Sequence, residues 1–224
     1  MLYFVIMLPF ILIAIYAQIK VKTTFNRYSN VRSSRGITGA QAASELLARN
    51  GLSGVRVEPI GGSLSDHYDP SSGVVRLSET VFGSTSIAAL GVAAHEVGHA
   101  VQHAKKYGPL ELRHTIVPVT NFASSASYFI ILLGMIMQSA NFLLAGIILF
   151  SAVVLFHVVT LPVELNASRR AVAQLSSAGL VTNEEVPMVK KVLGAAAFTY
   201  LAAVLSSIAT LLYYIMIFAG SNDD

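Results

Sequence analysis

The sequence predicts a mainly α membrane protein: about four transmembrane helices with an α+β cytoplasmic region, the latter a small antiparallel sheet and a helix that carries the chemistry. Three observations lead there. Of the 224 residues, 54% are hydrophobic and 12% charged, where a soluble domain carries about 25% charge. Four apolar runs, at 2–19, 116–137, 142–161 and 194–218, each approach the roughly 20 residues a helix needs to cross a bilayer. All fifteen Lys and Arg fall in two polar blocks, 20–113 and 162–193, so positive charge lies on one side of every run.

These observations divide the chain into an anchor (1–19), a cytoplasmic region (20–114), a transmembrane hairpin (115–163), cytoplasmic helices (164–193) and a last transmembrane helix with a short outside tail (194–224). Both termini are expected outside and both polar blocks in the cytoplasm. The first run lacks a positive leading segment and a small-x-small cleavage site, so it reads as an uncleaved anchor. Lys20, Lys22, Arg27, Arg32 and Arg35 follow it directly. Membrane orientation accounts for them, and nucleic acid is not an expected partner. The chain has no cysteine, which removes disulfides, thiolate ligands and a cysteine nucleophile together.

Next, "ITGAQAASELLARNGL" has Thr38 and Gln41 in capping-box spacing and Asn50-Gly51 as a stop, a short amphipathic helix. "GVRVEPI", "SLSDHYD" and "GVVRLS" are β-branched stretches between turn residues and predict the antiparallel sheet. Ser86 then opens a helix to about Lys105, closed by "KKYGP", with cations in its last turn and Gly-Pro beyond.

That helix contains "AAHEVGHAVQH". Residues four apart share a helix face, so His95 and His99 can turn ring nitrogens onto one zinc ion. Glu96, on the adjoining face, can act as general base in a zincin-type hydrolysis. Gly98 and the surrounding alanines leave room for another element to approach. A catalytic zinc normally takes three protein ligands. The metzincin pattern is excluded, because Gln102 and Lys105 stand at its diagnostic positions. His103 is about 12 Å along the helix from His95, and is expected on the helix surface or in an outer layer of the site. An intramembrane protease with a downstream Asp ligand does not fit, since after His99 the only aspartates are Asp223 and Asp224. A glutamate is the remaining solution.

The chain resembles the YugP-like neutral zinc metallopeptidases of bacterial membranes, themselves distantly similar to the HtpX and CAAX-prenyl-protease group. The resemblance rests on "SDHYDP", "VVRLSE", "SIAALGVAAHEVGHAVQHA" and "LPVELNASRRA" in that order. It implies a metallopeptidase of the HExxH-plus-glutamate type, with Glu164 as third ligand, Zn2+ as cofactor, and a protein or peptide substrate, membrane proteins being one candidate class. The broader group writes the ligand helix E-x-x-A-D, whose Asp supports a histidine ligand. Here Ser168 stands in its place, so Asn166 or Ser168 is the expected substitute.

Other glutamates after His99 have simpler roles. Glu184 and Glu185 follow Thr182 at a helix start, Thr182 and Glu185 in capping-box spacing, and Glu111 follows the motif helix beside Arg113. Glu164 ends an apolar run, where an unpartnered carboxylate is costly. The strand "SDHYDP" has two readings: His67 or Tyr68 contacts the substrate or transition state, or Asp69-Pro70 simply opens a turn. His157, within the third run, reads as a bundle-facing hydrogen-bonding group. The expected function is thus a membrane-embedded zinc endopeptidase working at the cytoplasmic face of the bilayer. The alternative is a non-catalytic membrane protein with a structural zinc.

Overall fold

A computed structural model describes residues 2–220. The tail 221–224, expected outside the membrane, lies outside the described residues. Four long helices dominate: α1 (Leu2–Ser29), α5 (Gly108–Ile136), α6 (Ala140–Ser177) and α7 (Val186–Gly220). All four are long and apolar enough to cross a membrane, and each outruns the apolar stretch that marks it in the sequence. The 38 residues of α6 amount to about 57 Å at the α-helical rise, nearly twice a hydrocarbon core of roughly 30 Å. Pro162 lies inside this helix and does not end it.

Between α1 and α5 come α2 (Gly39–Arg49), β1 (Arg56–Ile60), β2 (His67–Asp69), β3 (Val74–Ser78), α3 (Glu79–Phe82) and α4 (Ile87–Ala104). The predicted helix starts are present. Thr38 and Gln41 form the full capping box of α2, and Ser86 Oγ accepts the Ala89 amide at 3.2 Å to start α4. Glu185 and Thr182 cap α7 reciprocally, and Glu185 Oε1 also accepts the amide and hydroxyl of Ser34 at 2.7 and 2.8 Å. Hydrogen bonds to the carboxylate from the backbones and side chains of Thr182 and Ser34 outweigh the cost of burying it and hold its pKa below the ordinary value.

The sheet corrects the expectation of a purely antiparallel one. Its order is β1-β3-β2; β2 pairs antiparallel with β3, but β1 pairs parallel with it. The most apolar strand takes the centre: four of the five β3 residues are buried, whereas β1 and β2 are partly exposed. A tight turn folds β2 onto one side of β3. That leaves β1 the other side, and the chain from 61 to 73 is long enough for the crossover a parallel pair requires. Asp69 fixes the tight turn, accepting from the Ser71 amide and hydroxyl, the Ser72 hydroxyl and Arg76.

Two compact units result. One comprises residues 18–107 and 163–198, and its core gathers Leu46, Leu47, Leu77, Val81, Leu90 and Val97 with Leu175 and Val189. The other comprises, among the described residues, 2–17, 108–162 and 199–220, built around Ile131, Leu143, Phe150 and Tyr214. Within it Gly146 sits directly against Ile131, the small-residue contact by which membrane helices pack closely.

Candidate metal centre

The motif helix packs against α6 at one point of very close approach. A Cβ added to Gly98 would lie 2.8 Å from the Ala167 carbonyl oxygen and 3.2 Å from its Cα, so only glycine permits this crossing. The contact brings the residue three before Ala167 to the motif. His95 Nε2 and Glu164 Oε2 are 3.2 Å apart, the two histidine Nε2 atoms 3.1 Å, and His99 Nε2 and Glu164 Oε2 3.5 Å. Ligands about 2.0–2.1 Å from a zinc ion at tetrahedral angles lie about 3.3–3.4 Å from one another. The three donor atoms therefore match one face of a zinc tetrahedron, and the group could hold a metal ion.

Glu164 is 2% exposed, as the cost of a lone carboxylate in apolar surroundings requires of a partnered one. Burial alone would lower the pKa of His99, but the hydrogen-bonded Glu164 carboxylate and the nearby Glu96 charge raise it overall. The cluster thus draws positive charge to the point where its nitrogens and oxygen converge. Glu96 itself is buried.

Each histidine is steered from behind by its other ring nitrogen. Ser168 Oγ stands 3.2 Å from His95 Nδ1, at the position where the broader group has its Asp. Behind His99 the partner is Gln102, whose Oε1 is 3.0 Å from Nδ1. The sequence reading used Gln102 only to exclude a motif and missed this role. Its amide orientation is not free: Nε2 donates to the Val163 carbonyl at 2.8 Å and to Asn166 Oδ1 at 3.0 Å, and Asn166 Oδ1 also accepts from Arg170 Nε at 2.7 Å. With both amide hydrogens committed, Gln102 can only accept from His99. The neutral ring of His99 then carries its proton on Nδ1, which leaves the Nε2 lone pair for a metal, as a ligand requires. Asn166 therefore acts one layer further out than expected. The available signal was a polar residue three positions after His99, on the same helix face.

The remaining candidates lie elsewhere. His103 Nδ1 is 2.9 Å from the Tyr68 hydroxyl, so it faces the sheet instead of the cluster. Burial, with the Asp69 charge, raises the Tyr68 pKa and keeps its hydroxyl a donor at neutral pH. His67 is exposed, with Nδ1 near the Ser65 carbonyl and Nε2 near Arg76. His157 sits edge-on to Phe156, and Glu111 is exposed in the first turn of α5.

The glycine contact gives a direct test of this geometry. Gly98→Leu should push α4 from α6, costing about 1–3 kcal/mol as overpacking, and should lower zinc occupancy about tenfold or more under chelator competition. Gly91→Ala, whose Cβ would make only an ordinary contact with Val189 at 3.4 Å, should leave occupancy unchanged. Equal occupancy in the two variants would show that the close approach does not set the ligand geometry.

Comparison with known proteins adds a match of residues 3–219 to the family described as "Putative neutral zinc metallopeptidase". The chain is also 52% identical, over 212 residues, to the "Putative membrane protease YugP" of Bacillus subtilis (strain 168), covering 95% of this chain and 94% of that one. No solved structure matches.

Proposed function

Because the chain belongs to this family of neutral zinc metallopeptidases, we propose that it is a membrane-embedded endopeptidase, with His95, His99 and Glu164 as zinc ligands and Glu96 as general base. One observation carries the reading: three converging nitrogen and oxygen donors at zinc-ligand spacing, in a chain whose long helices suit a multi-pass membrane protein. A zinc ion held there supplies Lewis acidity, polarising a peptide carbonyl and lowering the pKa of water. Glu96 takes the proton released in the attack and delivers it to the leaving amine. An extended substrate pairs with the outer edge of β2, the strand that carries Tyr68. A purely structural zinc usually has four protein ligands; the candidate group among the described residues has three, which favours catalysis.

The test is hydrolysis of an unfolded membrane protein by the detergent-purified enzyme. Chelation should abolish cleavage and added zinc restore it. Cleavage indifferent to chelator would exclude a zinc-dependent reaction, and no cleavage of any substrate tried would favour the structural zinc.

The proposed orientation, with the site cytoplasmic and the termini outside, rests on the confinement of every Lys and Arg to the two polar blocks. Ser63, exposed between β1 and β2, and Asn141, exposed at the start of α6, suit cysteine labelling, whereas Ser33 is buried. In intact cells a membrane-impermeant thiol reagent should label Asn141→Cys and not Ser63→Cys. The opposite pattern would place the site outside.

A further inference from the structure

Beyond the zinc cluster, the most chemically specific feature is a 410 Å³ cavity between α1 and α7. Lys20, Thr24 and Arg27 line one wall and Lys191 and Gly194 the other, with Tyr28 alongside. The spacing explains the arrangement: 20, 24, 27 and 28 fall on one face of α1, and 191 and 194 on one face of α7. Three cations converge, and among the described residues no carboxylate lines the cavity. The Lys20 ammonium is held 5.0 Å from the centre of the Phe198 ring. Positive charge at the membrane surface orients a chain wherever it lies around a helix. It does not require three cations to face one hollow, and Lys22, equally close to the first apolar run, is exposed and does not line it.

We propose that this cavity binds the phosphate headgroup of an anionic phospholipid. A lipid fits better than a free anion because of where the cavity lies along the chain. Lys20 directly follows the apolar run of α1, ending in the exposed Ile19, and Gly194 opens the long apolar run of α7. A headgroup at the cations therefore has its acyl chains beside the hydrocarbon-facing helices, as in other basic pockets between membrane helices. Gly194 keeps the hollow open, since nothing lies within 4 Å of a Cβ added there. The proposal is independent of the zinc chemistry.

The experiment measures lipid retained by the intact detergent-purified protein, by native mass spectrometry, after exposure to equimolar phosphatidylglycerol and phosphatidylcholine. Wild type should retain phosphatidylglycerol in preference by about tenfold. The triple variant Lys20→Gln, Arg27→Gln, Lys191→Gln should lose the preference. The charge-matched triple Lys22→Gln, Lys105→Gln, Lys106→Gln should keep it. Gly194→Leu, which changes no charge and suits a helix, should lose it by filling the hollow, and so guards against a misfolded triple variant. Three outcomes overturn the proposal: equal retention of the two lipids by wild type, equal loss in both triple variants, or displacement of the lipid by inorganic phosphate as effective as by added phosphatidylglycerol.

Discussion

Glu96→Gln should bind zinc as the wild type does and hydrolyse peptide about 10²–10⁴-fold more slowly, the range for removing a general base. The amide keeps the shape of a carboxyl side chain that is 7% exposed, so packing around it changes little. It cannot take a proton, so under the proposed mechanism the reaction loses the group that moves one from water to the leaving amine. Both readouts are needed. Zinc is counted per protein chain after exhaustive washing, and turnover is followed on a quenched peptide. Near-normal turnover at full zinc occupancy would remove Glu96 from the chemistry, while loss of zinc would make it a structural neighbour of the ligands.

Glu164→Gln should act in the other order, losing the metal first and activity with it. Its carboxylate supplies the only negative charge among the three donors, and it is 3.2 and 3.5 Å from the two histidine nitrogens. A neutral amide oxygen there binds a divalent ion far more weakly. Affinity should fall more than the roughly 10–100-fold that loss of a ligand's supporting partner costs, measured by competition with a chromogenic chelator. Glu111→Gln, at an exposed carboxylate in the first turn of α5, should leave affinity and activity unchanged. Full zinc retention with normal activity in Glu164→Gln would return the third ligand to the other glutamates.

What the sequence made legible was local. Apolar runs report membrane helices because the bilayer imposes their length, and the four runs correspond to four suitable helices. The capping pairs Thr38–Gln41 and Thr182–Glu185 can be read because their bonds span three residues. His95 and His99 share a face by helical spacing alone. What stayed illegible was set by distant partners. The parallel pairing of β1 with β3 depends on which strand the core buries on both faces, not on any one strand's composition. Pro162 reads as a boundary, yet α6 continues through it, since the packing of residues on both sides of a proline can outweigh one lost backbone hydrogen bond. The position of Gln102, three residues after His99, was legible, but what fixes its amide was not, because both acceptors, Val163 and Asn166, lie more than sixty positions away.

That separation bears on how the protein is made. His95 and Glu164 are 69 residues apart, and α5 and the apolar part of α6 lie between them. A nascent chain emerging from the ribosome has both histidines and Glu96 long before it has Glu164, and Gly98 has no Ala167 to meet until α6 has been made. Biosynthesis itself then sets an order: a chain cut short before α6 holds two of the three candidate donors, and the set closes only when the last of them has been made.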